Sequence, residues 1–522
     1  MKSATSTEPD TLPKGFAGWF AGLGRWHRLF LAFAAGALMT AGHPPIGLPW
    51  VMFVALPLLV MLVAHAPTGR AAAWIGWGAG FGYFTTGLHW IGHAFLVDPD
   101  RFAWLMPLGV LFLPAGLALF WMLGFWAARR LWPRSILAAA GILAIAWTLV
   151  EFARGHVLTG FPWALPGYVW VDTPAMQAAA VVGPYGLTAL TLWLCALPGV
   201  ALMGRSRWVA GAAIAAGAGI WLAGELRLPD IAQWSDDSPT LRLVQPNAPQ
   251  HLKWKSGYYE AFYQRALDST SAPPTGDMGP VDIVIWPESV INLIPEDQPE
   301  VVAQISEAAG DAVVLAGVTH GARGTERMHW TNAFLPILPD GALGVRYDKH
   351  HLVPFGEYLP FEGVLSALGL RQFAIQGGFH RGVGPRTIKI DGVPSYSALI
   401  CYEAIFPHEV VGDERPEWLV QPTNDAWFGS YAGPQQHYAQ AKFRAVEQGL
   451  PLVRAANTGI SAVVDAYGRE VVSIKMHNYS YIDTKLPNAL LPTPYSRLKS
   501  VALLLVIAII AISCVIMSKM RS

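Results

Sequence analysis

Three side chains in the polar middle of the chain have types that together favour acyl transfer: Glu288, Lys349 and Cys401. A thiol is a strong nucleophile, but its ordinary pKa of about 8.5 leaves little thiolate at neutral pH, so it needs a base or a cation nearby. Glu288 follows the apolar run Ile283 to Pro287, where desolvation raises a carboxyl pKa toward that of a general base. The Lys349 ammonium would stabilise the oxyanion of a tetrahedral intermediate, a contribution of roughly 3 to 4 kcal/mol in other enzymes.

Each of these residues also has a structural interpretation when it is taken alone. A carboxylate at a strand end commonly caps or pairs, a single lysine is commonly solvated, and a cysteine in a β run commonly packs in a core. Residue type and spacing therefore leave the catalytic and the structural interpretation open.

The composition indicates an integral membrane protein. Of 522 residues, 53% are hydrophobic and 14% are charged, and the mean hydropathy is +0.35. Lys plus Arg equals Asp plus Glu at 36 each, so there is no net basic field and we expect no nucleic-acid binding. Cys195 and Cys514 fall in apolar stretches, which predicts that Cys401 is an unpaired thiol.

Apolar segments long enough to cross a bilayer flank the polar middle of the chain, since a span needs about 20 residues. We predict about eight spans, near 27–43, 48–66, 71–94, 104–130, 134–153, 175–203, 207–226 and 500–518. Lys and Arg gather before the first span and after the second, fourth, sixth and eighth, which places both termini in the cytoplasm. The polar segment then lies on the opposite face, which is the periplasm if the cell is a diderm bacterium. The first apolar run is an anchor rather than a cleaved signal.

These boundaries divide the chain into an N-terminal membrane domain (1–228, about seven spans), a polar domain (229–498) and a C-terminal transmembrane helix (499–522). In the polar domain, β-rich runs alternate with helical patterns, which predicts an α/β layered domain of ~250 residues. The predicted strands are 241–245, 282–286, 312–318, 333–338, 344–347, 395–401, 418–421 and 452–456, and the predicted helices are 257–267, 300–309 and 435–448.

The local sequence around the three residues resembles that of the Glu-Lys-Cys triad of the nitrilase, or carbon-nitrogen hydrolase, superfamily. The runs that carry this resemblance are Trp286-Pro287-Glu288, Lys349-His350-His351-Leu352-Val353-Pro354-Phe355-Gly356-Glu357-Tyr358 and Cys401-Tyr402-Glu403. Further similar runs begin at Gln245, Lys253, Asn332, Asn424, Gln436 and Asn457, and the run Leu158 to Trp163 lies in the membrane domain. With its apolar spans, the chain resembles the membrane-bound branch, the apolipoprotein N-acyltransferases, and Glu403 follows that branch where many soluble members carry Asp.

The resemblance implies a multi-span α-helical membrane domain with an inserted α-β-β-α sandwich domain of nitrilase type. It implies that Glu288 takes the thiol proton, Cys401 attacks an acyl ester and Lys349 stabilises the oxyanion. Glu357 would support the triad by holding Lys349 or the amine of the second substrate. Tyr402 and Glu403 would shape the pocket around the thiol, and Trp254 and Asn332 would line it.

The resemblance also implies the substrates. The acyl donor is a membrane phospholipid, typically phosphatidylethanolamine, and the acceptor is the free α-amine of the diacylglyceryl-cysteine of bacterial apolipoproteins. Two half-reactions through one thioester give ping-pong kinetics and a triacylated lipoprotein, in the bacterial inner membrane. No cofactor or metal is required, because aminolysis of a thioester is downhill, but the site must exclude water.

The histidines suggest no metal site in the sequence. His350 and His351 are adjacent, so on a strand their rings would point to opposite faces and would not share one ion. His89 and His93 have a helical spacing, but no third ligand is evident near them.

An apolar stretch between Lys349 and Cys401 has two interpretations. It includes Phe361 and Leu365 with glycines at 356, 377 and 378, and is either a core helix or a lid that dips into the lipid interface. Phe161, Trp163, Tyr168 and Trp170 are most simply an interfacial aromatic belt.

Two other function classes fit parts of the sequence. A membrane-tethered amidohydrolase would use the same triad and release its acyl group to water, but one span would suffice as a tether. A transporter with an outer domain would carry polar groups in mid-span, and the upstream spans offer few. Both classes explain less of the sequence than acyl transfer does.

Overall fold

The computed structural model describes residues 14–203, 206–294, 297–323, 328–361, 363, 367 and 378–519. Within this part of the chain, two compact units are present. The first comprises the chain up to Gly92, Phe102–Leu228 and Pro494 onward, and the second comprises His93–Arg101 and Pro229–Thr493. The second unit therefore includes a short segment from between the apolar helices.

The helices lie mainly in the first unit. In chain order they are α1 (Lys14–Gly22), α2 (Arg25–Met39), α3 (Met52–Ala64), α4 (Gly69–Gly87), α5 (Pro99–Phe102), α6 (Met106–Arg130), α7 (Ile136–His156), α8 (Ala179–Leu194), α9 (Leu197–Met203), α10 (Arg207–Arg227), α11 (Tyr258–Ser271), α12 (Pro299–Ala309), α13 (Gly433–Gln448), α14 (Pro494–Leu498) and α15 (Ser500–Lys519).

Each of the eight apolar segments predicted from the sequence overlaps at least one of these helices. Among the described residues, five stretches are long and apolar enough to cross a membrane: Pro99–Arg130, Ile136–His156, Pro174–Met203, Arg207–Arg227 and Ser500–Lys519. The apolar helix Pro49–Ala64 is shorter. Several apolar helices are thus confirmed, and the count of eight spans stays a prediction.

Close packing of α4 against its neighbours depends on glycine. A Cβ added at Gly82 would lie 2.1 Å from the carbonyl oxygen of Phe33 in α2, and one at Gly76 would lie 2.6 Å from the carbonyl oxygen of Trp121 in α6. Small residues let helix backbones approach closely, which is how packing stabilises apolar helices in lipid.

A buried ion pair holds the segment after α7. Glu151 and Arg154 are 0% and 1% exposed and pair with each other, and Arg154 also donates to the carbonyl oxygen of Trp163 at 3.0 Å. The interfacial aromatic belt predicted for this segment is wrong, because Trp163, Tyr168 and Trp170 are 1%, 2% and 8% exposed within the unit. The buried guanidinium of Arg154 donates hydrogen bonds to backbone carbonyl groups of this irregular segment. The aromatic rings of the segment pack inside the unit.

The second unit is an α/β domain, as predicted. Its strands are β1 (Thr240–Gln245), β2 (Ile283–Ile285), β3 (Ile291–Leu293), β4 (Val313–Arg323), β5 (Met328–Ile337), β6 (Tyr347–Asp348), β7 (Thr387–Ile390), β8 (Val393–Ala398), β9 (Trp418–Thr423), β10 (Leu452–Ala456), β11 (Ser461–Val464), β12 (Glu470–Ile474) and β13 (Ser480–Lys485).

Over the described residues, the strands form two sheets. The first has the order β13-β1-β2-β4-β5-β6 with β3 beside β4, and the second has the order β12-β11-β10-β9-β8-β7. Parallel neighbours lie at the centre of each sheet, β1-β2-β4 in the first and β8-β9-β10 in the second. Antiparallel strands complete both edges.

Successive side chains along each strand point to opposite faces of the sheet, and this alternation separates the core between the sheets from the outer helix layers. In β2, Ile283 and Ile285 pack in the core between the two sheets, whereas Val284 packs with Ile305 of α12 on the outer face. On the far side, Leu419 of β9 packs against Ala441 and Ala445 of α13. The order of layers is therefore helix, sheet, sheet, helix.

The apolar stretch between Lys349 and Cys401 is only partly within the described residues. Phe361 and Phe355 are 70% and 57% exposed, with positive φ angles of 52° and 65°. Leu365 and Gly377 lie outside the described residues. The choice between a core helix and a lid therefore stays a prediction.

Candidate active site

Glu288 lies just beyond the carboxyl end of the buried strand β2. A Cβ at Gly317 in β4 would lie 2.1 Å from the carbonyl oxygen of Pro287, so a glycine is needed for this loop to pass close to the neighbouring strand. The backbone of Trp286 still donates to Leu315, which extends the strand pairing. Glu288 is consequently fixed at the sheet edge and is 7% exposed.

Cys401 begins a 3₁₀ helix, Cys401–Ile405, just after β8. Its φ of 51° is in the left-handed region, which costs a non-glycine residue about 1 to 3 kcal/mol. Gln421 Nε2 at 3.2 Å and His437 Nε2 at 3.0 Å contact the Cys401 carbonyl oxygen. The neighbouring side chains thereby hold the sharp turn that presents the sulfur.

The thiol faces the predicted base. The Cys401 thiol lies close enough to the carboxylate of Glu288 and to Thr423, at the end of β9, for both to affect its proton. Burial and the Glu288 charge raise the pKa of the thiol well above its usual value, although Lys349 opposes them. The resting group is therefore a neutral thiol that needs a base at the moment of attack.

Lys349 is fully buried between two carboxylates. Its Nζ lies 3.0 Å from Glu357 Oε1 and 3.4 Å from Glu288 Oε1, and the residue is 1% exposed. Burial by itself would lower the pKa of Lys349, but Glu357 and Glu288 raise it above its usual value. Lys349 is therefore a permanent cation at neutral pH.

Asn332 links the two carboxylates. Its Nδ2 donates to Glu288 Oε1 at 2.6 Å and to Glu357 Oε1 at 2.8 Å. Burial alone would raise the pKa of Glu288, but Lys349 and the Asn332 amide outweigh it and hold the pKa below its usual value. Glu288 is thus ionised and ready to accept a proton from the thiol.

Lys253 is a second buried cation, which the sequence did not single out as a site residue. Its Nζ donates to the backbone oxygen of Glu288 at 3.2 Å and lies 5.2 Å from the centroid of the Trp254 ring. Burial lowers the pKa of Lys253 to about 8, against the opposing effect of Glu288. Trp254 itself is 43% exposed.

Glu403 joins the two segments that carry Lys349 and Cys401. Its carboxylate accepts from the backbone N–H of His350 at 2.7 Å and of Ile400 at 2.7 Å, and it is 0% exposed. Tyr402, which follows Cys401, is 7% exposed and contacts the rings of His351 and Phe406. Glu403 therefore contributes through backbone positions, as a clamp between two loops.

The prediction that the rings of His350 and His351 diverge is wrong. His350 Nε2 lies 3.3 Å and His351 Nδ1 2.7 Å from the same oxygen of Glu409. The two residues follow β6 rather than extend it, so the alternation of a strand does not apply to them. Burial alone would lower the pKa of His350, but hydrogen bonds to Glu403 and Glu409 raise it to about 9.

A buried polar network behind Cys401 was also missed. His437 Nδ1 lies 2.9 Å from Asp425 Oδ1, Asp425 pairs with Arg454, and Arg454 Nη1 donates to Gln421 at 2.6 Å. Burial alone would raise the pKa of Asp425, but Arg454 and His437 lower it to about 2. The sequence signal for this network was the polar composition of α13. In the structure, all residues of this helix except Gln435 are buried.

Together the described side chains form one compact polar cluster. The structure brings Glu288, Lys349, Asn332 and Glu357 into one hydrogen-bonded group, with the Cys401 thiol beside Glu288. A thiol, an ionised carboxylate and a fixed cation are the parts needed to form and resolve a thioester.

Two family models match separate parts of the chain. Residues 35–197 match the model of the apolipoprotein N-acyltransferase N-terminal domain, and residues 240–482 match that of the carbon-nitrogen hydrolases. A solved carbon-nitrogen hydrolase superfamily protein from Xanthomonas campestris aligns with a TM-score of 0.32 at 20% identity, over 48% of this chain and 90% of that chain.

Relatives named apolipoprotein N-acyltransferase align over almost the whole chain. The protein from Rhodopseudomonas palustris is 39% identical, over 93% of this chain and 94% of its own length. Those from Brucella melitensis and Bradyrhizobium diazoefficiens are 39% and 40% identical, over 96% and 93% of this chain and 98% and 94% of their own lengths. The resemblance found in the sequence is confirmed: the chain is an acyltransferase that belongs to the apolipoprotein N-acyltransferase family.

Proposed function

We propose that the protein transfers a fatty acyl chain from a membrane phospholipid, through a thioester on Cys401, to the α-amine of the diacylglyceryl-cysteine of apolipoproteins. The observation that carries this proposal is the position of the Glu288 carboxylate beside the Cys401 thiol, with the Lys349 ammonium 3.4 Å and the Asn332 amide 2.6 Å from the same carboxylate oxygen. The names of the relatives support the lipoprotein acceptor. Phosphatidylethanolamine is the expected donor.

In the first half-reaction, Glu288 takes the thiol proton as sulfur attacks the ester carbonyl of the phospholipid. The carbonyl oxygen becomes an oxyanion beside the Lys349 ammonium, and a preorganised donor of this kind contributes roughly 3 to 4 kcal/mol. The C–O bond then breaks, Glu288 returns its proton to the departing alkoxide, and a lysophospholipid leaves. The product is a thioester on Cys401.

In the second half-reaction, the lipoprotein amine attacks the thioester carbonyl. Glu288 accepts a proton from the amine and returns it to the departing sulfur, so the amide and the free thiol form together. The lysophospholipid leaves before the amine reacts with the acyl-enzyme, which gives ping-pong kinetics, and both half-reactions use the same base. Asn332 and Glu357 position the base and the cation through the contacts at 2.6 Å and 3.0 Å.

The proposed location is the bacterial inner membrane. We infer eight spans, cytoplasmic termini and a periplasmic catalytic domain at 229–498, between a membrane domain at 1–228 and the transmembrane helix at 499–522. The five long apolar helices and the basic residues Arg129, Arg130 and Lys519 at helix ends support this arrangement. Reporter fusions after α7 and after α10 test it, since the proposal expects periplasmic signals at both points.

Intact-mass analysis tests the first half-reaction. The protein in detergent is mixed with phosphatidylethanolamine alone, and we expect one acyl adduct that hydroxylamine removes. Cys401→Ser is the control, because it keeps the shape of the site but cannot form a thioester. An adduct that persists in this variant, or no adduct on the unmodified chain, contradicts the proposal.

Addition of a diacylglyceryl lipopeptide with a free amine tests the second half-reaction. We expect the adduct to disappear as an amide forms in equal amount. Release of free fatty acid without amide would instead favour hydrolysis, as the alternative of a membrane-tethered hydrolase expects.

A further inference from the structure

A cluster of metal-ligating side chains lies outside the hydrogen-bonded group of the triad. His350, His351 and Glu409 each offer one ligand atom, and these three atoms lie within 4.8 Å of one another. His408 Nε2 lies 3.5 Å from the other oxygen of Glu409. Two imidazoles and a carboxylate are a ligand set that zinc takes in proteins.

The imidazole of His350 is already oriented as a ligand. Its Nδ1 lies 2.6 Å from Glu403 Oε1 and 2.7 Å from the Tyr347 hydroxyl, so its Nε2 is directed to Glu409. Metal-bound histidines almost always donate their second ring N–H to a carboxylate or carbonyl, which fixes the tautomer and the ring orientation. Glu403 is 0% exposed and supplies this support from the protein interior.

The spacing of the ligand atoms fits a tetrahedral ion after small rotations. Zinc bonds of about 2.0 to 2.1 Å place neighbouring ligand atoms roughly 3.3 Å apart. The distances from Glu409 Oε2 are 3.3 Å to His350 Nε2 and 2.7 Å to His351 Nδ1. All three side chains are partly exposed, so an ion can reach them from solvent.

We propose that His350, His351 and Glu409 bind one zinc(II) ion, with water as its fourth ligand, and that this ion clamps the Lys349 segment to the Cys401 segment. His350 and His351 directly follow Lys349, and Glu409 follows the 3₁₀ helix that starts at Cys401. The ion displaces the protons that hydrogen-bond the imidazoles to Glu409 and reinforces the junction that Glu403 makes between the same two loops. This inference does not depend on which acyl donor or acceptor the enzyme uses.

Zinc titration of the full-length protein tests the site. The protein, purified in detergent with a tag that lacks histidine and freed of metal with a chelator that is then removed, is titrated with zinc chloride by calorimetry. We expect one equivalent to bind, with binding at least about 10-fold weaker in Glu409→Gln and His351→Gln. Glu414→Gln is the matched control, because Glu414 is an exposed carboxylate that pairs with Lys389.

Cobalt(II) gives a second readout that does not depend on activity. Replacement of zinc by cobalt should give the intense visible absorption of a tetrahedral ion, and this absorption should be lost in both ligand variants and kept in Glu414→Gln. Circular dichroism checks that each variant is folded. Absence of stoichiometric binding, or binding that the folded ligand variants retain at full strength, overturns the proposal.

Discussion

Glu357 Oε1 lies 3.0 Å from the Nζ of Lys349, closer than the 3.4 Å that separates Lys349 from Glu288. The ammonium is therefore shared, and the carboxylate that takes no proton in the proposed reaction makes the shorter contact. Glu357 also accepts from the backbone N–H of Val353 at 2.8 Å, which ties it to its own loop. This arrangement makes Glu357 a positioning residue for the cation.

Substitution Glu357→Gln tests this positioning. A hydrogen bond to a charged group contributes about 1.5 to 3 kcal/mol, so the rate of thioester formation should fall roughly 10- to 100-fold. Single-turnover mass analysis with phospholipid measures this rate. Glu288→Gln should stop the reaction almost completely, and equal losses in the two variants would contradict separate roles.

The pH dependence of Cys401 alkylation tests the state of the thiol. Since burial and Glu288 raise its pKa, the rate with iodoacetamide should not rise between about pH 8 and 9 as it does for an ordinary thiol. Glu288→Gln should lower this pKa and move the rise to lower pH, even though it removes the base. The measurement uses a protein with Cys195→Ala and Cys514→Ala, so that only Cys401 can be alkylated. An alkylation rate that rises between about pH 8 and 9 with Glu288 in place would contradict the prediction.

The contact between His437 and the Cys401 carbonyl oxygen predicts a positioning effect. His437→Leu removes the contact at 3.0 Å to the carbonyl oxygen of Cys401, whose φ is 51°. It also leaves the buried side chains of Asp425 and Arg454 with one polar contact fewer each. We expect thioester formation to fall roughly 10-fold or more, because a buried hydrogen-bond partner is worth about 1 to 3 kcal/mol.

Rescue separates this effect from simple destabilisation. His437→Gln retains an amide donor, so it should recover part of the rate measured at saturating phospholipid. Thermal unfolding is measured on both variants. If the rate follows only the midpoint temperature and not the presence of a donor, the positioning role of His437 is wrong.

Lys253 predicts a stability change with pH. Its pKa of about 8 in the folded protein lies below the ordinary value of 10.5, so the folded state binds fewer protons than the unfolded state between these values. The contribution of Lys253 to the free energy of unfolding should therefore rise with pH between these two pKa values. At neutral pH the buried ammonium costs up to about 3 kcal/mol.

Lys253→Met should raise the midpoint of thermal unfolding at pH 7 and remove the rise between pH 8 and 10. Lys255→Met is the control, since Lys255 is exposed two residues further on. A lower midpoint in Lys253→Met would show that the hydrogen bond to the Glu288 carbonyl, at 3.2 Å, outweighs the cost of burial.

Strands with a strong local pattern were predicted well. β10 was predicted at its observed bounds, and β1 and β9 within two residues, because each is an apolar run between turn residues. β3, β7, β11, β12 and β13 were missed, and of these β12 and β13 are half-exposed edge strands. β13 pairs with β1, and that pairing depends on residues more than 200 positions away.

The sequence by itself determined the residue types of the site, the apolar helices and the helix-and-strand pattern of the catalytic domain. These follow from local hydrophobic periodicity and from runs of a few residues, which need no knowledge of distant contacts. Only the tertiary structure decided which side chains meet. Glu288 and Lys349 are 61 residues apart, and strand pairing brings their side chains to 3.4 Å. The same long-range packing directed both His350 and His351 to Glu409 and buried the rings near Arg154, because side-chain direction in loops is set by the partners that fill the space around them.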